Sequence, residues 1–368
     1  MMIMMPGGNI PSPITLSPLK RISASRFFDM QLCSYREVLV SNGLEKLLPS
    51  SPNKFFGLAA HSFLQKVGSG LINEPDDFEN GWLTTVSEVE QLLLLSEREK
   101  HLIPLSKTVK QFEVRKRVLF NKASSLIVNR RTECKSASNL FHGIESWFQT
   151  ADGVVGGYLD RVLLTESGYE IIDYKTGAII DKYTMDIKDA YKYQLFLYAA
   201  LFYENLNEWP SALKIQGING EEFCINYKKD ECVRILNQAR EMFHRVNELI
   251  TRFNEQTELQ KHLAQPVPEN CCYCSVRPLC NAYWEAKEKY PQLKWNNDIR
   301  GQFKSLSILG NGTYLLKIKS GVKTYKIRGL KPDRHRILEG SFLSIYNLSS
   351  DKSENCFSEN ILTTIYTN

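Results

Sequence analysis

Two apolar, β-branched and aromatic runs most constrain what this chain can fold into: VVGGYLDRVLL from residue 154 and YEIIDYKTG from residue 169, separated by the turn-prone TESG. Runs of this kind around a short turn predict an antiparallel hairpin. The hairpin would bring Asp160, inside the first strand, to Asp173, thirteen residues on at the end of the second. Carboxylates in an apolar strand setting are costly to bury unless a cation or a donor compensates them. Hard divalent cations such as Mg²⁺ or Mn²⁺ take oxygen ligands, so the pair suits one. A lone Asp-x-Lys is most often a salt bridge or turn at a strand end, but here the triplet Asp173-Tyr174-Lys175 has suggestive neighbours. Thr176-Gly177 closes the strand, and Gln194 and Tyr198 lie four apart, on one face of the next predicted helix.

The rest of the chain organises around this pair. Residues 1–22, rich in Pro, Ser and Met without periodicity, read as a mobile leader. SASRFFDMQLCSYREVLV predicts a helix carrying Cys33, and a second helix follows at Phe55–Val67. Residues 86–126 read as charged helix, 189–205 as a strongly apolar helix, 213–227 as a strand pair around Asn219-Gly220, and 230–263 as helix again. After Pro291 the pattern becomes FKSLSIL, TYLLKIKS, VKTYKIRGL and SFLSIYNL, short alternating strands that predict a small all-β barrel of OB-like type. Its Tyr314, Tyr325 and Phe342, at alternating positions, are expected in its core rather than stacked on bases. The expected division is a leader, a mixed α/β (α+β) domain over 23–290 with helical insertions, and a barrel over 291–368.

Four spaced motifs then coincide. Gly57-Leu58-Ala59-Ala60-His61, Gly157-Tyr158-Leu159-Asp160, Asp173-Tyr174-Lys175-Thr176-Gly177 and Gln194-x-x-x-Tyr198 stand in this order. Together they resemble the G-x-x-x-H, G-x-x-D, D-Y-K-T-G and Q-x-x-x-Y motifs of the PD-(D/E)XK nuclease superfamily, RecB-like branch. The resemblance covers about residues 23–290 and implies a restriction-endonuclease-like core. It further implies that His61, Asp160, Asp173 and the Tyr174 carbonyl hold Mg²⁺ or Mn²⁺, and that Lys175 orients or deprotonates the attacking water and neutralises transition-state charge. Unperturbed lysine is a poor base at neutral pH, so burial beside a cation must help it or its role is electrostatic. Gln194 and Tyr198 would bind DNA phosphates or brace the lysine. Glu145, just before the hairpin, has no support as a further member.

NCCYCSVRPLC places Cys271, Cys274 and Cys280 in a C-x2-C-x5-C pattern, with Cys272 as an extra thiol that could replace Cys271. Spacing alone suits zinc or a cluster. The pattern resembles that of iron–sulfur members of that branch, including the AddB type and the CRISPR-adaptation type, which take a fourth cysteine from far upstream. Cys33 matches that position and implies a [4Fe–4S] cluster, Zn²⁺ being the alternative. Such a site would clasp the domain and restrict the unfolded chain. The cysteines at 134, 224, 232 and 356 are isolated and expected to be inert.

Composition sets limits. The net charge is +5, but residues 291–368 carry twelve Lys/Arg against six Asp/Glu, which suggests a polyanionic partner for that module. No apolar run is long enough for a membrane span and no export signal is visible, so a cytoplasmic protein with reduced thiols is expected. The resemblance implies DNA as substrate, single-stranded or at ends, with roles in recombinational repair or antiviral defence. The sequence has no G-x-x-x-x-G-K-[ST] loop, so a helicase or defence-complex subunit would be another chain. A rival reading is a catalytically silent iron–sulfur DNA-binding subunit, which the intact His61, Asp160, Asp173 and Lys175 oppose. An electron-transfer protein would leave the hairpin carboxylates without a reason.

Overall fold

The computed structural model describes residues 15–44, 47–133, 144–217, 221–253 and 255–367. Its first sheet holds β1 (Ile22–Ser23), β2 (Ile144–Gln149), β3 (Val155–Thr165), β4 (Gly168–Lys175), β5 (Ala212–Gly217) and β6 (Glu222–Ile225). The expected hairpin is β3 and β4, antiparallel from Arg161↔Ile172 to Thr165↔Gly168. Gly168, at φ 113°, supplies the positive φ of its turn. β5 pairs parallel to β4, β6 antiparallel to β5, and β2 antiparallel to β3. β1 adds a short parallel pairing at Ile22↔Val155 and Ser23↔Gly156. Residues 1–14, the turn Asn219-Gly220, Cys134 and the side chain of Glu145 lie outside the described residues.

The helices are α1 (Phe27–Leu32), α2 (Ser34–Leu39), α3 (Pro52–Gly68), α4 (Phe78–Leu94), α5 (Leu105–Thr108), α6 (Phe112–Glu133), α7 (Asp189–Leu206), α8 (Lys229–Arg252), α9 (Gln256–Leu263), α10 (Pro268–Cys271) and α11 (Asn281–Lys289). α7 is apolar nearly all round because it is buried from Gln194 to Phe202. It packs with Ile171, Leu213 and Ile215 of the sheet and Ile235 and Leu236 of α8 into the main core. α3, α4 and α6 form a second core around Phe56, Phe63, Trp82 and Phe112. Phe63 meets Trp82 edge to face, with ring centroids 5.8 Å apart.

Several expectations need correction. The leader does not extend to residue 22: Leu19 and Ile22 are 5% and 3% exposed, since both have apolar core to enter. Cys33 is not on a helix, but extended (φ −161°, ψ 94°) in the break between α1 and α2. The helix expected over 86–126 is interrupted between Leu94 and Phe112, where Pro104 cannot continue it. The one expected over 230–263 breaks at Phe253.

The C-terminal strands β7 (Ile299–Ile308), β8 (Tyr314–Ser320), β9 (Lys323–Leu330), β10 (Phe342–Tyr346), β11 (Ser349–Ser350), β12 (Cys356–Ser358) and β13 (Thr364–Thr367) form one open sheet. Its order is β11-β12-β9-β8-β7-β10-β13, with β12 parallel to β9 and, among the described residues, no pairing that closes β11 onto β13. The expected barrel closure is therefore not found. The last three strands are too short to show alternation, which hid them in the sequence. Tyr314 and Tyr325 pack against the core of this sheet, while Phe342 is 39% exposed instead of buried.

Candidate active site

The end of the β3–β4 ladder is where the charged residues gather. Regular pairing stops at Arg161↔Ile172, and the next contact is made by a side chain: the Tyr174 N–H donates to Asp160 Oδ2 at 2.8 Å. Asp173, 2% exposed, faces α7. There Gln194 Nε2 donates to Asp173 Oδ1 and to the Tyr198 hydroxyl, both at 2.9 Å. Lys175 Nζ closes a triangle, donating to Gln194 Oε1 at 3.0 Å and standing 2.7 Å from Asp173 Oδ2. Burial works to lower the Lys175 pKa, but the charges of Asp173 and Asp160 outweigh it and raise it above the ordinary lysine value. Lys175 is thus held as an ammonium. Burial pushes the Tyr198 hydroxyl well up, so it stays neutral.

The motif glycines explain how these elements come so close. A Cβ at Gly157 would lie 2.9 Å from the Tyr198 ring, and one at Gly57 would lie 2.8 Å from Thr176 Oγ1. Each glycine is the gap into which a residue of another motif fits. α3 is set by Ser51, whose side chain accepts from the Asn53 N–H, and by Pro52 in its first turn. Through Gly57 it meets the strand end just past Lys175, and the half-buried His61 follows one turn later on the same face.

Among the described residues, no three His, Cys, Asp or Glu side chains are arranged as ligands of one ion. The donor set nonetheless fits a hard cation. Asp173 Oδ2 is buried, and among the described residues the Lys175 ammonium at 2.7 Å is the group that compensates it. Two further residues at this site escaped sequence reasoning. The Tyr191 ring centroid is 4.8 Å from Lys175 Nζ, and Lys122 of α6 lies 5.5 Å from the Tyr174 ring while donating to Gln216 Oε1. Tyr191, three residues before Gln194 on α7, had a signal in its spacing; Lys122 had none.

On another part of the domain, Cys33, Cys271, Cys274 and Cys280 line one small cavity with Tyr35 and Tyr283. Burial raises the Cys271 thiol to about 12 and Cys274 to about 11, and pushes Cys280 up as well, each further raised by charge on the others. Cys272 is outside this group; its half-buried thiol donates to the Glu269 carbonyl. Arg277, 2% exposed, was not expected from the sequence. Its guanidinium donates to the Cys271 and Cys274 carbonyls, both at 2.8 Å, and to Asn347 Oδ1 at 2.6 Å, and it pairs with the buried Asp298 at 2.8 Å. Tyr283 donates to the same carboxylate at 2.9 Å. This knot ties the cysteine loop to the C-terminal sheet. Three buried thiols and the half-buried Cys33 around one cavity fit a thiophilic metal centre by their donor chemistry, although they are not arranged as ligands of one ion.

No curated protein matches the chain. Among the described residues, no helix is long and apolar enough to cross a membrane. A family model described as the PD-(D/E)XK nuclease superfamily matches residues 21–281, which hold the whole first sheet, the four motifs and all four cavity cysteines. On that match and this geometry, the chain belongs to the PD-(D/E)XK nuclease superfamily, whose members hydrolyse phosphodiester bonds in nucleic acid and generally use Mg²⁺ or Mn²⁺.

Proposed function

We propose that this protein is a metal-dependent deoxyribonuclease of the RecB-like branch, acting on single strands or ends in DNA repair or defence. The observation that carries the reading is the closed triangle of Asp173, Lys175 and Gln194 beside Asp160. Asp160, Asp173, His61 and the Tyr174 carbonyl are the residues that would hold Mg²⁺ or Mn²⁺. The ion would polarise the scissile phosphate and lower the pKa of a bound water. Lys175, kept as an ammonium by Asp173, serves as an electrostatic group facing the charge that develops on phosphate oxygens. Gln194 fixes the lysine, and Tyr198 fixes Gln194. The basic C-terminal sheet supplies backbone grip that is independent of base sequence.

The test is degradation of end-labelled single- and double-stranded DNA with Mn²⁺ or Mg²⁺, comparing the intact protein with Asp173→Ala and Lys175→Ala. Both variants should lose cleavage by roughly 100-fold or more. DNA binding without cleavage in either metal would instead support the silent-subunit reading.

Cys33, Cys271, Cys274 and Cys280 are assigned to a [4Fe–4S] cluster that clasps the domain. Anaerobic protein should carry iron and acid-labile sulfide in equal amounts. Zinc without iron would replace the cluster by a structural zinc site.

A further inference from the structure

A second feature lies where β1, β2 and β3 meet, and the nuclease site does not use it. An open groove of about 620 Å³ runs there, lined among others by Arg21, Arg26, Glu37, Trp147 and Tyr158. Trp147 and Tyr158 are directly opposed across β2 and β3, with ring centroids 4.8 Å apart in an edge-to-face arrangement. They remain 36% and 57% exposed. The indole lies across the diagonal neighbour Gly156, which pairs with Gln149 and has no side chain: a Cβ there would stand 2.6 Å from Trp147 Cζ2. Arg21, just ahead of β1, places its guanidinium 4.9 Å from the indole centroid. Among the described residues Arg21 has no carboxylate partner. Arg26, by contrast, is engaged by Glu37 at 2.8 Å, which neutralises the one carboxylate on the groove wall.

A cross-strand aromatic pair can serve stability alone, at about 0.2–1 kcal/mol. That role does not call for an unpaired guanidinium on the indole, nor for an open groove beside it. Partly exposed rings beside a cation with no carboxylate partner match the two parts of a nucleotide, base and phosphate, once the guanidinium leaves the indole for the phosphate. Duplex bases are already stacked and offer no face to such a platform. Tyr158 also lies only two residues before Asp160 in β3, about 6–7 Å along the strand.

We propose that this groove is a base-stacking subsite for an unpaired DNA strand, in which Trp147 and Tyr158 take bases and Arg21 an adjoining phosphate, leading the strand toward Asp160 and Asp173. The inference rests on the nuclease reading and adds to it the state of the substrate next to the site.

The experiment is fluorescence anisotropy of labelled oligo-dT, a hairpin duplex and an abasic strand of equal length, without divalent metal. Trp147→Ala and Tyr158→Ala should each weaken oligo-dT binding roughly 5- to 100-fold, leaving duplex and abasic strand unchanged. Trp147→Phe, which keeps a ring, should retain most of the affinity. Unchanged oligo-dT binding in both alanine variants, or equal weakening for oligo-dT and abasic strand, overturns the subsite. If Trp147→Ala proves unfolded by its melting curve, Trp147→Phe and Tyr158→Ala decide by the same comparison. The two readings separate cleanly. Cleavage with base-independent binding rejects the subsite and keeps the nuclease, whereas base-dependent binding without cleavage does the reverse.

Discussion

Gln194 connects three groups through one side-chain amide: its oxygen accepts from Lys175, and its nitrogen donates to Asp173 and Tyr198. Gln194→Ala should therefore release the lysine rather than remove it. We expect cleavage to fall about 100-fold, carried by kcat and not by KM, as for a misplaced reacting group. Tyr198→Phe takes away only the last acceptor and should cost about 1 kcal/mol in denaturant unfolding. Arg277 stands at the other extreme. Asp298→Ala would leave its guanidinium buried and unpaired, an expected loss of about 3–5 kcal/mol measured by the same titration. At this scale the sequence was legible where a residue's chemistry is intrinsic, as for Asp160, Asp173 and Lys175 in apolar strands. It was not legible where the role comes from a distant partner. Arg277 reads as an ordinary loop arginine until Asp298 and Asn347 are brought to it by the fold.

Among elements, the hairpin and α7 could be read because their alternation and length are local properties, and Gly168 marks the turn. The break at Cys33 could not: Phe27 to Leu39 has helical spacing throughout, and only tertiary packing turns residue 33 out of the helix. That break carries one thiol to the cysteine loop from Cys271 to Cys280, and the loop has a pH signature of its own. Without metal, burial holds Cys271 and the isolated Cys232 at about 12 and Cys274 at about 11, above the ordinary thiol value of 9.0. Raised thiols are neutral in the fold, so their contribution is complete below pH 9 and is lost as pH rises from 9 towards 12. Lys287, lowered by burial to about 8, acts oppositely and gains between pH 8 and 10.5, but it is one group against these three and Cys280, which burial also raises. The metal-free protein should thus melt at a lower temperature at pH 10.5 than at pH 8. A higher melting temperature at pH 10.5 would show that these thiols are not buried as described.

On the scale of the whole molecule, contacts cross the boundary expected near residue 290. Tyr346 and Tyr366 of the C-terminal sheet belong to the main core, and the Tyr366 hydroxyl donates to the Leu47 carbonyl at 2.5 Å. Asp298 and Asn347 complete the shell of Arg277. A chain ending at residue 290 should consequently be aggregated or lack a cooperative melt, where two independent domains would each show their own transition. The N-terminal segment depends in turn on the cysteine loop, since the Leu48 N–H donates to the Ser275 carbonyl and Asn270 caps the end of α1 at Leu32. Time during synthesis follows from this geometry. Cys33 leaves the ribosome roughly 240 residues before Cys271, an interval of about 12–50 s at ordinary elongation rates. Within it α1 gains Tyr193 of α7 against Phe27 and Phe28, but Cys33 has none of the three thiols with which it lines the cavity. The newborn chain must therefore keep one thiol waiting until the cysteine loop has been made.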